Sequence, residues 1–202
     1  MLRRLIDIVV ASLLLLLLSP LLLLVALAIR IDSRGAALFA QTRVGKDGVV
    51  FTMYKFRTMR ADTGARPVTM GGRRDPRVTR IGELLRASKI DELPQLLNVL
   101  KGDMTLVGPR AETPNFVAHY TPRQREVLSV LPGLTGPGQI RYTTQQADAL
   151  EGAADPNRLY IETIMPQKLE WDLDYIRKRS AWGDVVVLGR TLVVILTLGR
   201  RG

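Results

Sequence analysis

Residues Ser88 to Arg110 read SKIDELPQLLNVLKGDMTLVGPR. Two adjacent carboxylates, Asp91 and Glu92, open a short apolar stretch, and Gly108-Pro109-Arg110 follows it. Carboxylates act as nucleophiles, as general acids or bases, or as ligands for hard cations. The planar donor fork of Arg fits a phosphate. Taken alone, an Asp-Glu pair is more often a capping acid beside a solvated neighbour than a reactive site. Three features weigh against that plainer reading: the basic charge around the pair, the nearby Gly-Pro-Arg turn and an apolar N-terminal segment. Together they point to anionic chemistry on a lipid-linked substrate.

The chain has 202 residues and a formal net charge of +10, with the excess concentrated near the pair. Residues 43–110 hold 14 Lys/Arg against 7 Asp/Glu, while residues 111–202 hold 11 against 10. A local basic field favours phosphates, acidic lipids or nucleic acid as partners. There is no Cys, which excludes disulfides, thiolate metal sites and Cys nucleophiles. The single His, His119, leaves no His cluster for a metal and argues against a Ser-His-Asp triad. Aromatic residues are 5% of the chain, too few for the stacking surface of a single-stranded nucleic-acid binder.

The elements that must position this chemistry begin with the membrane segment. Ile8 to Ile29 form a 22-residue run interrupted only by Ser12, Ser19 and Pro20. As a straight helix it would reach roughly 33 Å, enough to cross a bilayer core. It is too long for the apolar part of a usual signal peptide. Pro20 lacks an N–H, so a kink is expected at Ser19-Pro20, with Ser19 satisfying backbone groups that the proline frees. Arg3 and Arg4 precede the run and Arg30 and Arg34 follow it, so both flanks are basic. These physical features leave a straight span and a re-entrant hairpin both open.

Next, ALFAQTRVGKDGVVFTMYKFRTM predicts a β-hairpin turning at Asp47-Gly48. Lys55 and Arg57, two apart on its second strand, share a face and would be comfortable around an anion. Residues 60–80 are polar, Gly/Pro-rich and hold six Arg, which reads as a loop. IGELLRASK predicts a short helix carrying Arg86 toward the acidic pair. After it, Leu93, Leu96, Leu97 and Leu100 make one helical apolar stripe, with Asp91 as N-cap, Pro94 in the first turn and Gly102 as the stop. TPRQREVLSVLPG predicts a helix capped by Thr121. PGLTGPGQIRY reads as a tight glycine loop leading to Arg141, without the spacing of a dinucleotide or P-loop motif. Residues 157–180 look helical and amphipathic. Val185 to Leu198, broken by Arg190, suits an interfacial or packed helix.

With those residues in place, the chain resembles the small monotopic polyprenyl-phosphate phosphoglycosyl transferases, the bacterial sugar transferases. The resemblance runs nearly end to end. It rests on Ser19-Pro20, YKFRTM (54–59), DPRVTRIGELLR (75–86), DELPQLLNVLKGDMTLVGPR (91–110) and PGLTGPGQ (132–139). The stretch 91–110 is its most specific part. Ala111 stands where the family commonly has Pro, and Pro137 where an aromatic or aliphatic residue is frequent.

The resemblance implies an α+β fold: a mostly helical membrane-associated domain with a small β-hairpin, a re-entrant helix over residues 1–30 kinked at Ser19-Pro20, and a catalytic domain over 31–202 with interfacial C-terminal helices. It implies transfer of a phosphosugar from a nucleotide diphosphate sugar, usually a UDP-sugar, to a polyprenyl phosphate. Asp91 would be the nucleophile, esterified in an aspartyl phosphosugar as UMP leaves, with Glu92 in a supporting role. Mg²⁺, held in part by Asp91, would neutralise the diphosphate. Arg110 would grip a phosphate, with Lys55, Arg57, Arg86 and Arg141 as supports. The expected location is the cytoplasmic face of a bacterial inner membrane, with lipids and substrates as partners, no nucleic acid, and a homodimer allowed. The sugar is not legible. The competing reading is a membrane-anchored basic binding or scaffold protein without catalysis, whose behaviour would not depend on Asp91 or Glu92.

Overall fold

The structure is a computed structural model and describes residues 2–60, 75–145 and 153–198. Its first element, α1 (Leu2–Asp32), is one helix of 31 residues with Pro20 inside. Pro20 cannot donate to the Leu16 carbonyl four residues back. The Ser19 hydroxyl takes up that carbonyl at 2.8 Å, as the Ser-Pro pair predicts. Only 11% of the most apolar 18-residue window of α1 is buried, so it is not the covered core helix of a globular domain. Leu13, Leu16, Leu17, Leu23 and Leu24 stand exposed around the Ser-Pro pair.

Both ends of α1 are fastened to the rest of the chain. Near the N-terminus, Arg4 donates to the Leu100 carbonyl at 2.8 Å, and buried Asp7 accepts from Thr105 Oγ1 at 2.7 Å and the Leu106 N–H at 3.1 Å. At the other end, Arg57 donates to the Ser33 carbonyl at 2.7 Å and to Ser33 Oγ at 3.0 Å.

The predicted hairpin is present. Strands β1 (Leu38–Val44) and β2 (Val50–Phe56) pair antiparallel, with Gln41 opposite Met53. The turn needs positive φ at Asp47 (55°) and Gly48 (78°), which Asp-Gly tolerates. Strand β2 stops at Phe56, so Arg57 is past its end, and it turns to the foot of α1 while Lys55 turns elsewhere. Of the predicted loop 60–80, residues 61–74, with Arg66, Arg73 and Arg74, lie outside the described residues. Met59 bridges to Val78, and Asp75 accepts from its own neighbour Arg77.

Helix α2 (Arg80–Ser88) is capped by Thr79, whose hydroxyl accepts from the Gly82 N–H at 3.0 Å. It ends at Lys89, a non-glycine residue in the left-handed region (φ 60°). A tight 3₁₀ stretch, Ile90–Gln95, then leads into α3 (Leu96–Lys101), which stops at Gly102 (φ 94°). This corrects two expectations. Asp91 is not the N-cap: Lys89 takes the cap position, which starts the helical path two residues earlier and puts Asp91 inside the first 3₁₀ turn. The apolar stripe is also displaced, because the 3₁₀ twist differs from the α twist. Leu97 is exposed and Asn98 is fully buried, bonding the Tyr54 N–H (3.0 Å) and the Thr52 carbonyl (2.7 Å) of β2.

A second small sheet was not anticipated. Strand β3 (Thr105–Val107) pairs in parallel with β4 (Gly133–Thr135), inside what reads as a glycine loop. The glycines permit the close approach, since a Cβ on Gly133 would lie 2.1 Å from the Gly108 N. Between them, α4 (Pro114–Val117) is followed by a six-residue 3₁₀ turn, Gln124–Ser129, rather than a full α-helix. Thr121 stands two residues before its cap position, Arg123, and bonds its first residue reciprocally: Thr121 N–H donates to Gln124 Oε1 and Gln124 N–H to Thr121 Oγ1.

After β4 the chain turns straight into α5 (Pro137–Gln145). Then α6 (Pro156–Leu159) and α7 (Met165–Arg177) are joined by a π turn at Tyr160–Ile164. The π turn absorbs Pro166, which cannot complete the α ladder. Helix α8 (Ala181–Leu198) closes the described chain. Among the described residues the architecture is thus mostly helical, with two two-stranded sheets and one long apolar helix. One core packs Leu96, Val99, Met104, Leu106 and Val107 between α1 and α8, and another gathers Phe116, Tyr120, Tyr160 and Leu169 around α7.

Candidate active site

Asp91 and Glu92 are 8% and 9% exposed, buried where a solvated pair would be open. They face different surroundings. Glu92 Oε1 accepts from Lys55 Nζ at 3.1 Å and from Arg110 at 3.2 Å, and Oε2 accepts from the Gln139 amide at 3.2 Å. The 3₁₀ turn supplies the carboxylate, β2 the lysine, the Gly-Pro-Arg turn the guanidinium and α5 the amide. Four segments distant in sequence therefore meet on one side chain. Asp91 Oδ1 is buried and accepts no hydrogen bond. An unpaired buried carboxylate oxygen is costly, and such exceptions call for a functional explanation.

The electrostatics separate the two acids. Burial alone would raise Glu92, but the charges of Lys55, Arg110 and Lys89 outweigh it and hold its carboxyl well below the usual range. Asp91 is raised, by burial first and by the adjacent Glu92 charge second, against the pull of Lys55, Lys89 and Arg86. Glu92 is thus a fixed anion that organises cations. Asp91 is the acid that its surroundings push up. Burial lowers Lys55 against the pull of Glu92, while for Arg110 the charges of Glu92 and Glu112 overcome burial and push it up.

Behind the pair lies a second buried network that the sequence reading missed. Glu112 accepts from Lys168 at 3.2 Å and from Arg43 at 3.4 Å, and Tyr160 donates its hydroxyl to the same carboxylate. Against the penalty of burial, Lys168 and then Arg43 hold Glu112 down at about 2. Its signal was position alone, two residues past Arg110. Asp172, accepting the Gly138 N–H at 3.0 Å, is pushed up to about 7 by burial.

The predicted phosphate-binding residues divide. Lys55 and Arg110 meet at Glu92. Arg86 donates to Thr58 Oγ1 at 2.9 Å and lies within electrostatic reach of Asp91. The structure does not bring Arg57 to the pair, because its guanidinium is committed to the end of α1. Arg141 lies over the Trp171 ring at 5.3 Å. Gln139 was missed, since nothing marks one Gln in a glycine-rich stretch as a partner of Glu92.

Mg²⁺ is commonly held by one or two carboxylates with substrate phosphate oxygens completing the shell. Asp91 Oδ1, buried and without a donor, fits such a ligand. Among the described residues no group of three or more acidic or His side chains forms an all-protein cage. The arrangement suits a phosphorus centre: one unpartnered carboxylate oxygen as attacking atom or ligand, and a cationic wall to receive phosphate charge.

Comparison with known proteins agrees with this chemistry. A family model described as bacterial sugar transferase matches residues 1–198. The chain is 44% identical over 198 residues to a UDP-glucose:undecaprenyl-phosphate glucose-1-phosphate transferase of Caulobacter vibrioides, covering 96% of this chain and 70% of that protein. It is 40% identical over 199 residues to a protein of the same description from Escherichia coli K12, covering 95% of this chain and 39% of that one. It is 38% identical over 206 residues to the exopolysaccharide production protein PSS of Rhizobium leguminosarum bv. phaseoli, covering 98% and 97% respectively.

Proposed function

The chain belongs to the bacterial sugar transferase family, and from that premise we propose that it transfers a sugar phosphate from a UDP-sugar to a polyprenyl phosphate, undecaprenyl phosphate in bacteria, releasing UMP. The observation that carries this reading is the buried, unpartnered Asp91 Oδ1 beside the cation-held Glu92. The product, a polyprenyl diphosphosugar, opens the assembly of a surface polysaccharide or related glycan.

The reaction proceeds in two displacements. An Asp91 carboxylate oxygen attacks the sugar-bearing phosphorus of the donor. A P–O bond to Asp91 forms and the bond to the UMP oxygen breaks, and UMP leaves with that electron pair. An oxygen of the polyprenyl phosphate then attacks the same phosphorus and the aspartyl P–O bond breaks. This returns the carboxylate and completes the diphosphate. Splitting one transfer into two lets a soluble and a lipid substrate use one site in turn. Phosphoryl transfer asks the protein chiefly for alignment and charge neutralisation. Lys55 and Arg110, oriented by Glu92, and Arg86 beside Asp91 supply a positive wall. Asp91 would hold Mg²⁺, which when bound neutralises diphosphate charge.

The same reading places α1 as a re-entrant helix. Its two ends are bonded to one domain while the aliphatic middle, around the Ser19-Pro20 defect, is exposed. A helix that dips into the cytoplasmic leaflet of the inner membrane and returns satisfies both facts. It also keeps Asp91 near the headgroups. On α8, Leu192, Val193 and Leu196 are exposed and suit the same interface.

Incubating the full chain with UDP-sugars, Mg²⁺ and undecaprenyl phosphate tests the activity, beginning with UDP-glucose. The expected result is UMP release with a lipid diphosphosugar product, lost at least a thousandfold in Asp91→Asn. Product formation unchanged in Asp91→Asn would refute it.

A further inference from the structure

Next to the acidic pair, α8 roofs a cavity of about 150 Å³ whose walls are aliphatic: Leu93, Leu134, Ile140, Leu188, Val194 and Ile195. Its two wall hydroxyls, Thr135 and Thr191, bond each other at 2.7 Å. Gln139 also lines it, with its amide bonded to Glu92, so a sugar or a nucleobase placed among the aliphatic walls would lose more water than it gains partners. A hydrocarbon would lose nothing. An aliphatic cavity on the order of 150 Å³ is large enough to take benzene, a ring of similar carbon count to one isoprene unit.

The rim is charged. Lys89 and Glu92 line the cavity where it meets the site. Lys89 is half-buried and stands in the left-handed region at φ 60°; its backbone bonds Arg86 and Glu92, while its side-chain ammonium is engaged by no hydrogen bond or ion pair among the described residues. It lines the cavity together with Glu92, and its charge acts on both Asp91 and Glu92. An uncommitted cation at the mouth of a dry aliphatic cavity is complementary to a phosphate monoester of a branched hydrocarbon. The exposed face of α8, with Leu192, Val193 and Leu196, gives the rest of such a chain an apolar path outward.

We propose that this cavity seats the first isoprene unit of the polyprenyl phosphate acceptor, with Lys89 contacting its phosphate. The proposal rests on the transferase reading above and extends it: α8 becomes an acceptor-binding element, and Leu134, Ile140 and Ile195 select the branched unit next to the phosphate.

The test uses the wild-type full chain in nanodiscs and a polyprenyl phosphate bearing a diazirine on its first isoprene unit. After illumination, labelled peptides should cover residues 134–140 and 188–195, and unlabelled polyprenyl phosphate should compete. Label confined to other segments, with turnover intact, overturns the proposal. Two cavity-filling variants, Leu134→Phe and Ile195→Trp, should each raise the KM for polyprenyl phosphate at least tenfold and move the UDP-sugar KM less than twofold. Acceptor KM values within twofold of wild type in both also overturn it. Lys89→Met should raise the acceptor KM several-fold, with Lys89→Arg restoring it. The two readings fail separately: label mapped to the cavity in a chain that releases no UMP from any UDP-sugar leaves the lipid site standing and removes the transferase.

Discussion

Asp91 and Glu92 are neighbours on one 3₁₀ turn, yet three donors converge on Glu92 while Asp91 Oδ1 accepts none. The difference supports the roles proposed for them. Glu92 holds the cations in place, and Asp91 is left with an oxygen available to an electrophile.

The first prediction concerns pH. Asp91 must be ionised to attack, and burial with the Glu92 charge raises its pKa above the ordinary Asp value. Glu92 is held well below the usual carboxylate range. The rate of acceptor-free UMP release should therefore fall as pH drops through the raised Asp91 pKa. In Glu92→Gln one raising charge is gone, so the acid limb should move to lower pH in whatever activity remains. A rapid-quench pH profile of the two proteins checks this; an unmoved limb speaks against Asp91 as the titrating group.

A second prediction is structural. Asn98 is fully buried and serves the Tyr54 N–H and Thr52 carbonyl of β2. Asn98→Ala leaves both without their partner, at about 1–3 kcal/mol each. The melting temperature should fall on the order of 5–15 °C, measured by thermal unfolding in nanodiscs. A shift under 2 °C would show that water replaces the amide.

A third concerns Asp172, raised to about 7 by burial from a model-peptide value of 3.8. Between those pH values the folded chain keeps a proton that the unfolded chain releases. Folding stability from this group is therefore full at the acid end and declines as pH rises toward 7. The decline is up to about 4 kcal/mol at 1.36 kcal/mol per unit. Asp172→Asn keeps an acceptor for the Gly138 N–H and removes the titration. It should gain on wild type between pH 5 and pH 7.5 in parallel thermal melts; equal differences at both pH values would refute the assignment.

The fourth is topological. The chain has no Cys, so single-Cys variants report cleanly. Leu2→Cys, at the head of α1, and Ala36→Cys, just past its end, should both react with a membrane-impermeant maleimide from the cytoplasmic side only. Reaction of the two positions from opposite sides would establish a straight span.

What was legible in the sequence is what local chemistry determines. The Asp47-Gly48 turn, the Gly102 stop and the Ser19-Pro20 pair each depend on a few adjacent residues. The convergence on Glu92 was partly legible, because Lys55 and Arg110 belong to a basic segment. Gln139, Asn98 and Glu112 were not, since their importance comes from burial, which one polar residue in a mixed stretch does not announce. Asp7 was missed as well: its partners, Thr105 and the Leu106 N–H, are distant in sequence. The β3–β4 pair was hidden because two three-residue parallel strands carry no periodicity, and the glycines that let them approach mimic a loop. Arg57 misled because the hairpin ends one residue before it.

The central claim is that the Asp91 carboxylate becomes esterified during turnover. Intact-mass and peptide spectrometry of the chain, acid-quenched after mixing with UDP-sugar and Mg²⁺ and no acceptor, tests it most directly. The account predicts a phosphosugar on the peptide holding Asp91, about one UMP released per chain, and loss of the adduct when polyprenyl phosphate is added. Lipid product formed at full rate with no adduct on that peptide would contradict it.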